Sequence, residues 1–173
     1  MYYINNHYKV IKGPEESVIA TICSLSIDGI LINNGIICTP KYGGLLEISD
    51  SPKFIDLVSY RGSSMDPHKI FISKKMTDVV NNNKILASVK EIPLIARDES
   101  VRLLNKIKKI GFPIYKIGKA REITYNAKVD SYNFGIVTGS GLNPITAIKE
   151  NNIPIKVKAI ERVIAFENME KFY

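Results

Sequence analysis

Apolar and β-branched residues run almost without interruption from Val18 to Leu25, a pattern that predicts a strand buried on both faces. Asp28-Gly29 then offers turn chemistry before a second apolar run, Ile30 to Ile32, and Asn33-Asn34-Gly35 offers it again. Ile36 to Thr39 and Leu45 to Ile48 continue the strand pattern around Gly43-Gly44. Ser49-Asp50-Ser51-Pro52 marks a loop before another strand, Phe54 to Tyr60. The first third therefore reads as a β-meander. Helical spacing comes later: Asp98 is placed to cap a helix in which Val101, Leu104 and Ile107 recur at helical intervals and lysines fill the last turn before Gly111. Asp66-Pro67 opens a helix through Ile70 and Phe71, and Met76 to Val80 predicts another short one. Ile85 to Val89 reads as a strand. Asn143-Pro144 has the pairing expected at a helix start, with an end near Asn151-Asn152 and flanking strands at Phe134 to Val137 and Ile155 to Ala159.

Strands first and helices afterwards predict an α+β fold, with a mixed or largely antiparallel sheet and helices packed on it as a single layered domain. That domain takes in residues 1–173, with 1–12 as a ragged or expression-derived start. Gly118 to Asn133 is polar and weakly patterned, which predicts a hairpin or loop within the domain.

At 173 residues and 45% hydrophobic content, the chain is long enough to bury a core without a metal or disulfide staple. Neither an 18-residue apolar run nor a signal-like N-terminus occurs, so the expected setting is soluble and cytoplasmic with no membrane partner. Cys23 and Cys38 lack the CxxC spacing of zinc or redox sites and read as reduced thiols. The formal charge is +7. Lysines are nonetheless scattered, no helix-turn-helix accompanies them, and direct DNA reading by this chain is not expected.

The densest chemistry is Thr138-Gly139-Ser140-Gly141-Leu142-Asn143-Pro144, a glycine-rich turn between strand and helix. Gly139, Ser140, Gly141 and Asn143 would aim amide N–H groups and a helix N-terminus at a carboxylate or phosphate; the alternative is a tight connection with no ligand. It is neither a Walker loop nor GxGxxG. Thr21, Cys23 and Ser24 are small polar groups in an apolar run, lining a pocket or bonding neighbouring backbone. Lys41 stands beside Gly43 and Gly44, where backbone can approach a ligand or simply bulge. Arg61 to Pro67 is a further candidate anion nest, or an ordinary capped turn. Arg97, at a helix entrance, could clamp a carboxylate or pair with an acid. His7 and His68 are too isolated to suggest a metal or hydrolytic site, and Cys23 has no obvious base.

Taken together and in order, Ile19 to Leu31, Gly35-Ile36 with Thr39 to Ile48, Tyr60 to Pro67 with Ile70 to Ile72, Ile85 to Asp98, and Gly139 to Pro144 resemble the NrpR regulatory domain, over about Ile19 to Ala159. NrpR proteins are archaeal repressors of nitrogen-assimilation genes. The resemblance implies 2-oxoglutarate as an allosteric effector with no other cofactor, a homodimer or higher homo-oligomer, and a winged-helix DNA-binding domain elsewhere in the full protein. It implies a ligand-sensing role and no enzymatic one. On that reading Thr21, Cys23 and Ser24 line the cleft, Lys41, Arg97 or the Gly139 to Asn143 turn holds the carboxylates, and Gly43-Gly44 admits close backbone. Two rival readings are a pure assembly module without ligand and a small-molecule enzyme using Cys23.

Overall fold

A five-stranded antiparallel sheet carries the fold, and the computed structural model describes residues 7–81, 83–158 and 162–171. In chain order the elements are β1 (His7–Lys12), β2 (Ser17–Thr21), α1 (Leu25–Asn33), β3 (Thr39–Glu47), β4 (Lys53–Ser59), α2 (Pro67–Ser73), β5 (Lys84–Pro93), α3 (Arg97–Lys109), β6 (Ile114–Ile117), β7 (Asn133–Gly139), α4 (Asn143–Glu150) and β8 (Glu170–Lys171). The main sheet runs β4-β3-β5-β7-β6, and β2-β1-β8 forms a second, smaller one. The expected α+β class holds, with every pairing in both sheets antiparallel.

β5 is the central strand and is buried on both sides, because Ile85-Leu-Ala-Ser-Val-Lys-Glu-Ile supplies residues for two faces at once. The register Leu45↔Leu86, Gly43↔Ser88, Ser88↔Thr138 and Ile92↔Phe134 assigns these side chains to one face. There Ile92, Phe134 and Ile136 pack under Ile27 and Leu31 of α1 and Leu104 and Ile107 of α3. Farther along the same face, Leu45 and Leu86 meet Phe71 and Ile72 of α2 and Leu142 and Ile145 of α4. The opposite face, with Leu46, Ile85, Ala87, Val89 and Val137, is closed partly by Val79, Ala127 and Val129 from loops. The polar stretch from Gly118 thus folds back over the sheet, pinned by a Thr124↔Ala127 bridge.

The meander expected at the start is overturned. The apolar run from Val18 to Leu25 is strand only to Thr21, and β2 is half-exposed at the edge of the small sheet. Leu25 then begins α1, which contains both the Asp28-Gly29 turn signal and the Ile30 to Ile32 run. Burying Ile27 and Leu31 one turn apart against the main sheet outweighs the local turn preference of Asp-Gly. The Asn34-Gly35 signal is real but ends a helix. Gly35 sits at φ +75°, its N–H bonds the Ile32 carbonyl, and the Ile36 N–H bonds the Leu31 carbonyl, a Schellman closure.

Other expectations are corrected in the same way. Residues 7–12, read as part of a ragged start, form β1 at the centre of the small sheet, while 1–6 lie outside the described residues. Met76 to Val80 is not helical: Asp78 bridges to Lys84, and its carboxylate accepts the Asn81 and Asn83 amides while Glu150 accepts the Val79 and Val80 N–H groups. Residues 155–158 form no strand, although Ile155 and Val157 pack against the α2 and α4 cluster; Ala159 lies outside the described residues. β3 begins at Thr39 rather than Ile36 and passes through Gly43-Gly44 unbroken. Asp98 lies inside the first turn of α3, which starts at Arg97.

Candidate functional site

The two apolar packs beneath the helices are separated by a polar seam on the same face of the sheet. Its floor is Ser88 and Lys90 of β5 with Thr138 of β7, all buried. Three segments close over it: the link from β2 into α1, the start of α2, and the turn from β7 into α4. Each is brought down by a close backbone approach or a specific bond. A Cβ on Gly43 would lie 2.6 Å from Pro67 Cβ, so glycine lets α2 rest on β3. A Cβ on Gly141 would run into the Ile22 carbonyl, and Thr21 Oγ1 donates to the Gly141 carbonyl, joining two distant parts of the chain.

Within the seam, His68 stands between sheet and turn. Its Nε2 is 3.1 Å from the Ala87 carbonyl, which can only accept, so Nε2 carries the proton; Nδ1 then accepts from the Ser140 hydroxyl at 3.2 Å. Burial holds the His68 pKa below the ordinary imidazole value, which keeps this neutral arrangement. Ser140 Oγ also accepts the Leu142 N–H at 3.2 Å. Tyr60 OH lies 3.3 Å from Ser88 Oγ, and burial pushes this phenol up to about 12, helped by Asp66, Cys23 and Asp28 nearby.

Lys90 is the seam's cation. Its side chain is 1% exposed, and Nζ donates to Asp28 Oδ1 at 2.6 Å and to the Ser24 carbonyl at 3.1 Å, at the start of α1. Burial, with the Asp28 charge adding to it, pushes the neighbouring Cys38 thiol up to about 12, so it is no nucleophile. Two buried oxygens here have no partner, Thr138 Oγ1 and Asp28 Oδ2. A buried cation, a half-used carboxylate and an unused hydroxyl, beside the starts of α1 and α4, gather at one seam groups of the kind that bind a small anion.

Of the residues singled out in the sequence, Thr21, Cys23, Ser24, Gly43, Ser140, Gly141 and Asn143 are gathered at or around this seam. The turn itself is less open than expected, since the N–H groups of Gly139, Ser140, Leu142 and Asn143 already bond Pro113, Leu86 and Ser140. Asn143 clamps Leu86, its Oδ1 accepting the N–H at 2.8 Å and its Nδ2 donating to the carbonyl at 2.9 Å. The other four lie elsewhere. Gly44 makes room for Phe54 and Leu57, and Gly139 for Tyr115, on the opposite face. Lys41 is held by Glu91 at 2.6 Å and by Asp130, beside a surface cleft of about 460 Å³ lined partly by Tyr42, Lys128 and Tyr132. Arg97 donates to the Gly118 carbonyl at 3.3 Å and stacks over Phe134, its ring centroid 5.6 Å away. Asp66 caps α2 by accepting the His68 N–H, which makes the Arg61 to Pro67 segment a capped turn.

Sequence reasoning does not single out Lys90, Asp28, Ser88 or Tyr60 for the site, takes Thr138 only as the start of the glycine-rich segment and sets His68 aside as isolated. Lys90 has a legible signal: Ser88 and Lys90 alternate with Ala87 and Val89 in the middle of the strand, so period two puts both polar groups on one face. No group of three or more His, Cys, Asp or Glu among the described residues could hold a metal.

Residues 2–171 match the family described as NrpR regulatory domains NRD1 and 2. The chain is 35% identical over 170 residues to the global nitrogen regulator NrpR of Methanocaldococcus jannaschii, covering 98% of this chain and 30% of that protein. It is 34% identical over 166 residues to the global nitrogen regulator NrpRI of Methanosarcina mazei, covering 91% of this chain and 51% of that one. It thus spans about half or less of these regulators. Its fold is similar to the crystal structure of a nitrogen repressor-like protein from Methanococcus jannaschii, with a TM-score of 0.86 and 34% identity over 96% of this chain and 74% of the other.

Proposed function

The chain belongs to the family of NrpR regulatory domains, part of a transcriptional repressor and not an enzyme, and from this premise we propose that its polar seam senses 2-oxoglutarate. The observation that carries the reading is Lys90, a fully buried cation on the central strand that shares its seam with unused oxygens on Thr138 and Asp28. A keto dicarboxylate needs a counter-charge for an end group and donors for the ketone and the other end; Lys90, Thr138 and Ser88 supply them. Thr21, Cys23 and Ser24 form the wall through which such a ligand enters, since these three are only half-buried.

Ligand binding acts on transcription by changing how two copies of the domain are held, and DNA is contacted through a part of the regulator outside this chain. Support for a second copy comes from one end of the main sheet, where Ile37, Ile95 and Tyr132 are 68%, 98% and 87% exposed. The protein acts in the cytoplasm; among the described residues no helix is long and apolar enough to cross a membrane.

Calorimetry of the chain with 2-oxoglutarate tests the reading. A saturable heat is expected, together with a melting temperature raised by about 5 to 11 °C when ligand is at about one hundred times its dissociation constant. Neither heat nor thermal shift at millimolar 2-oxoglutarate would overturn it.

A further inference from the structure

We propose that Asp28 competes with the effector for Lys90, so that a ligand carboxylate takes the ammonium and Asp28, with the first turn of α1, is let go. The inference rests on the effector-site reading above and names the part that moves. The pair is buried on both sides, with side chains 1% and 8% exposed, yet only one carboxylate oxygen is engaged: Oδ1 takes Lys90 Nζ at 2.6 Å and lies 3.5 Å from Cys38 Sγ, while Oδ2 has no partner. Carboxylates in permanent buried pairs have their remaining lone pairs satisfied, because otherwise the Coulomb gain does not repay desolvation. Asp28 leaves that condition unmet.

The charge balance points the same way. Lys90 sits where the partial positive end of α1 already lies, its Nζ bonding the Ser24 carbonyl at 3.1 Å, and α4 begins at the other side of the seam. One resident carboxylate offsets all of this. Thr138 Oγ1, buried and unpartnered beside Ser88, adds a second point for an anion reaching Lys90. A dicarboxylate with one end on Lys90 and its middle on Thr138 and Ser88 would give Thr138 Oγ1 a partner and make Asp28 redundant.

The mechanical consequence follows from connectivity. α1 has nine residues, an exposed outer side at Leu25, Gly29 and Ile32 and its far end anchored by Leu31, so lifting its first turn draws only Ile27 from the core. Its lead-in is β2, tied to the α4 turn through Thr21 and Gly141. Release of Asp28 therefore pulls on the small sheet and on the turn together.

The test compares 2-oxoglutarate binding by the unaltered chain, Asp28→Asn and Asp28→Asn/Lys90→Met. With the competitor neutralised, Asp28→Asn should bind at least about tenfold more tightly, whereas the double variant, which strands no charge, should not bind. In the unaltered chain, ligand should speed hydrogen exchange of α1 amides, a measurement that needs no variant to fold. If the unaltered chain binds but Asp28→Asn binds equally or more weakly, or if α1 gains protection, the competition is wrong and the site reading survives. If the unaltered chain binds nothing, the site reading falls, and this inference with it.

Discussion

His68 shows how much of the seam depends on one protonation state. Its Nε2–H is committed to the Ala87 carbonyl and its Nδ1 to the Ser140 hydroxyl, so a second ring proton would force that hydroxyl to turn its own proton away and put a second charge beside Lys90. Burial lowers the His68 pKa. The unfolded chain, with imidazole near its ordinary 6.5, thus binds a proton that the native chain refuses as pH falls below that value. Stability is fully present above about pH 6.5 and is lost as pH drops toward the native pKa. Thermal unfolding between pH 7.5 and 5.5 should show a falling melting temperature, and His68→Gln should flatten part of that slope. His7 contributes in the same direction, lowered by burial and by Lys171, so some slope should remain. An unchanged slope in His68→Gln would mean that the native ring is protonated or solvated. At this scale the sequence was a poor guide: His68 stood as an isolated helix residue because its partners, Ala87 and Ser140, lie 19 and 72 positions away.

Among the elements, α4 is attached to the sheet through a side chain that normally caps a helix. Asn143 spends its amide on both backbone groups of Leu86, where the ladder from β5 to β7 gives out. Removing it leaves the buried Leu86 N–H without its partner, while the carbonyl keeps the Ser140 N–H, at a cost of about 1 to 3 kcal/mol. Asn143→Ala should lower the chemical unfolding free energy by about 2 kcal/mol; a loss under about 0.5 kcal/mol would mean that the clamp is not made in solution. The same segment explains what was legible. Strand, glycine turn and helix could be read from Phe134 to Glu150 because local signals and tertiary packing agree there. β5 and α3 were readable for that reason too. α1 was not, since Asp28-Gly29 and Asn34-Gly35 both promise hairpins, and only the distant sheet, which takes Ile27 and Leu31, makes a helix of the residues between. The seam inherits that error: Ser24 and Asp28 look like parts of a strand and a turn until α1 forms and turns both toward Lys90.

For the whole molecule, the proposed sensing role is bounded by what a bound ligand can pass on. A ligand shifts an assembly only by the difference in its affinity for the two arrangements, and the coupling is reciprocal. Ile95 follows the C-terminal end of β5, Tyr132 precedes β7 across the Pro93↔Asn133 pair, and Ile37 leads into β3, so these apolar side chains collect at one end of the main sheet. Exposed aromatic and aliphatic groups gathered in this way favour pairing with a like surface. Light scattering at micromolar concentration should therefore give about twice the 19.4 kDa chain mass, and Ile95→Glu with Tyr132→Glu should give the single mass with the fold intact. A monomer from the unaltered chain would remove assembly from the mechanism. The decisive comparison joins both properties. If 2-oxoglutarate changes the dimer dissociation constant, dimer and monomeric variant must differ in affinity for 2-oxoglutarate by a linked factor, because the same free energy is counted along either path. Equal affinities would mean that the seam and this end of the sheet work independently, and that any signal leaves through the small sheet instead.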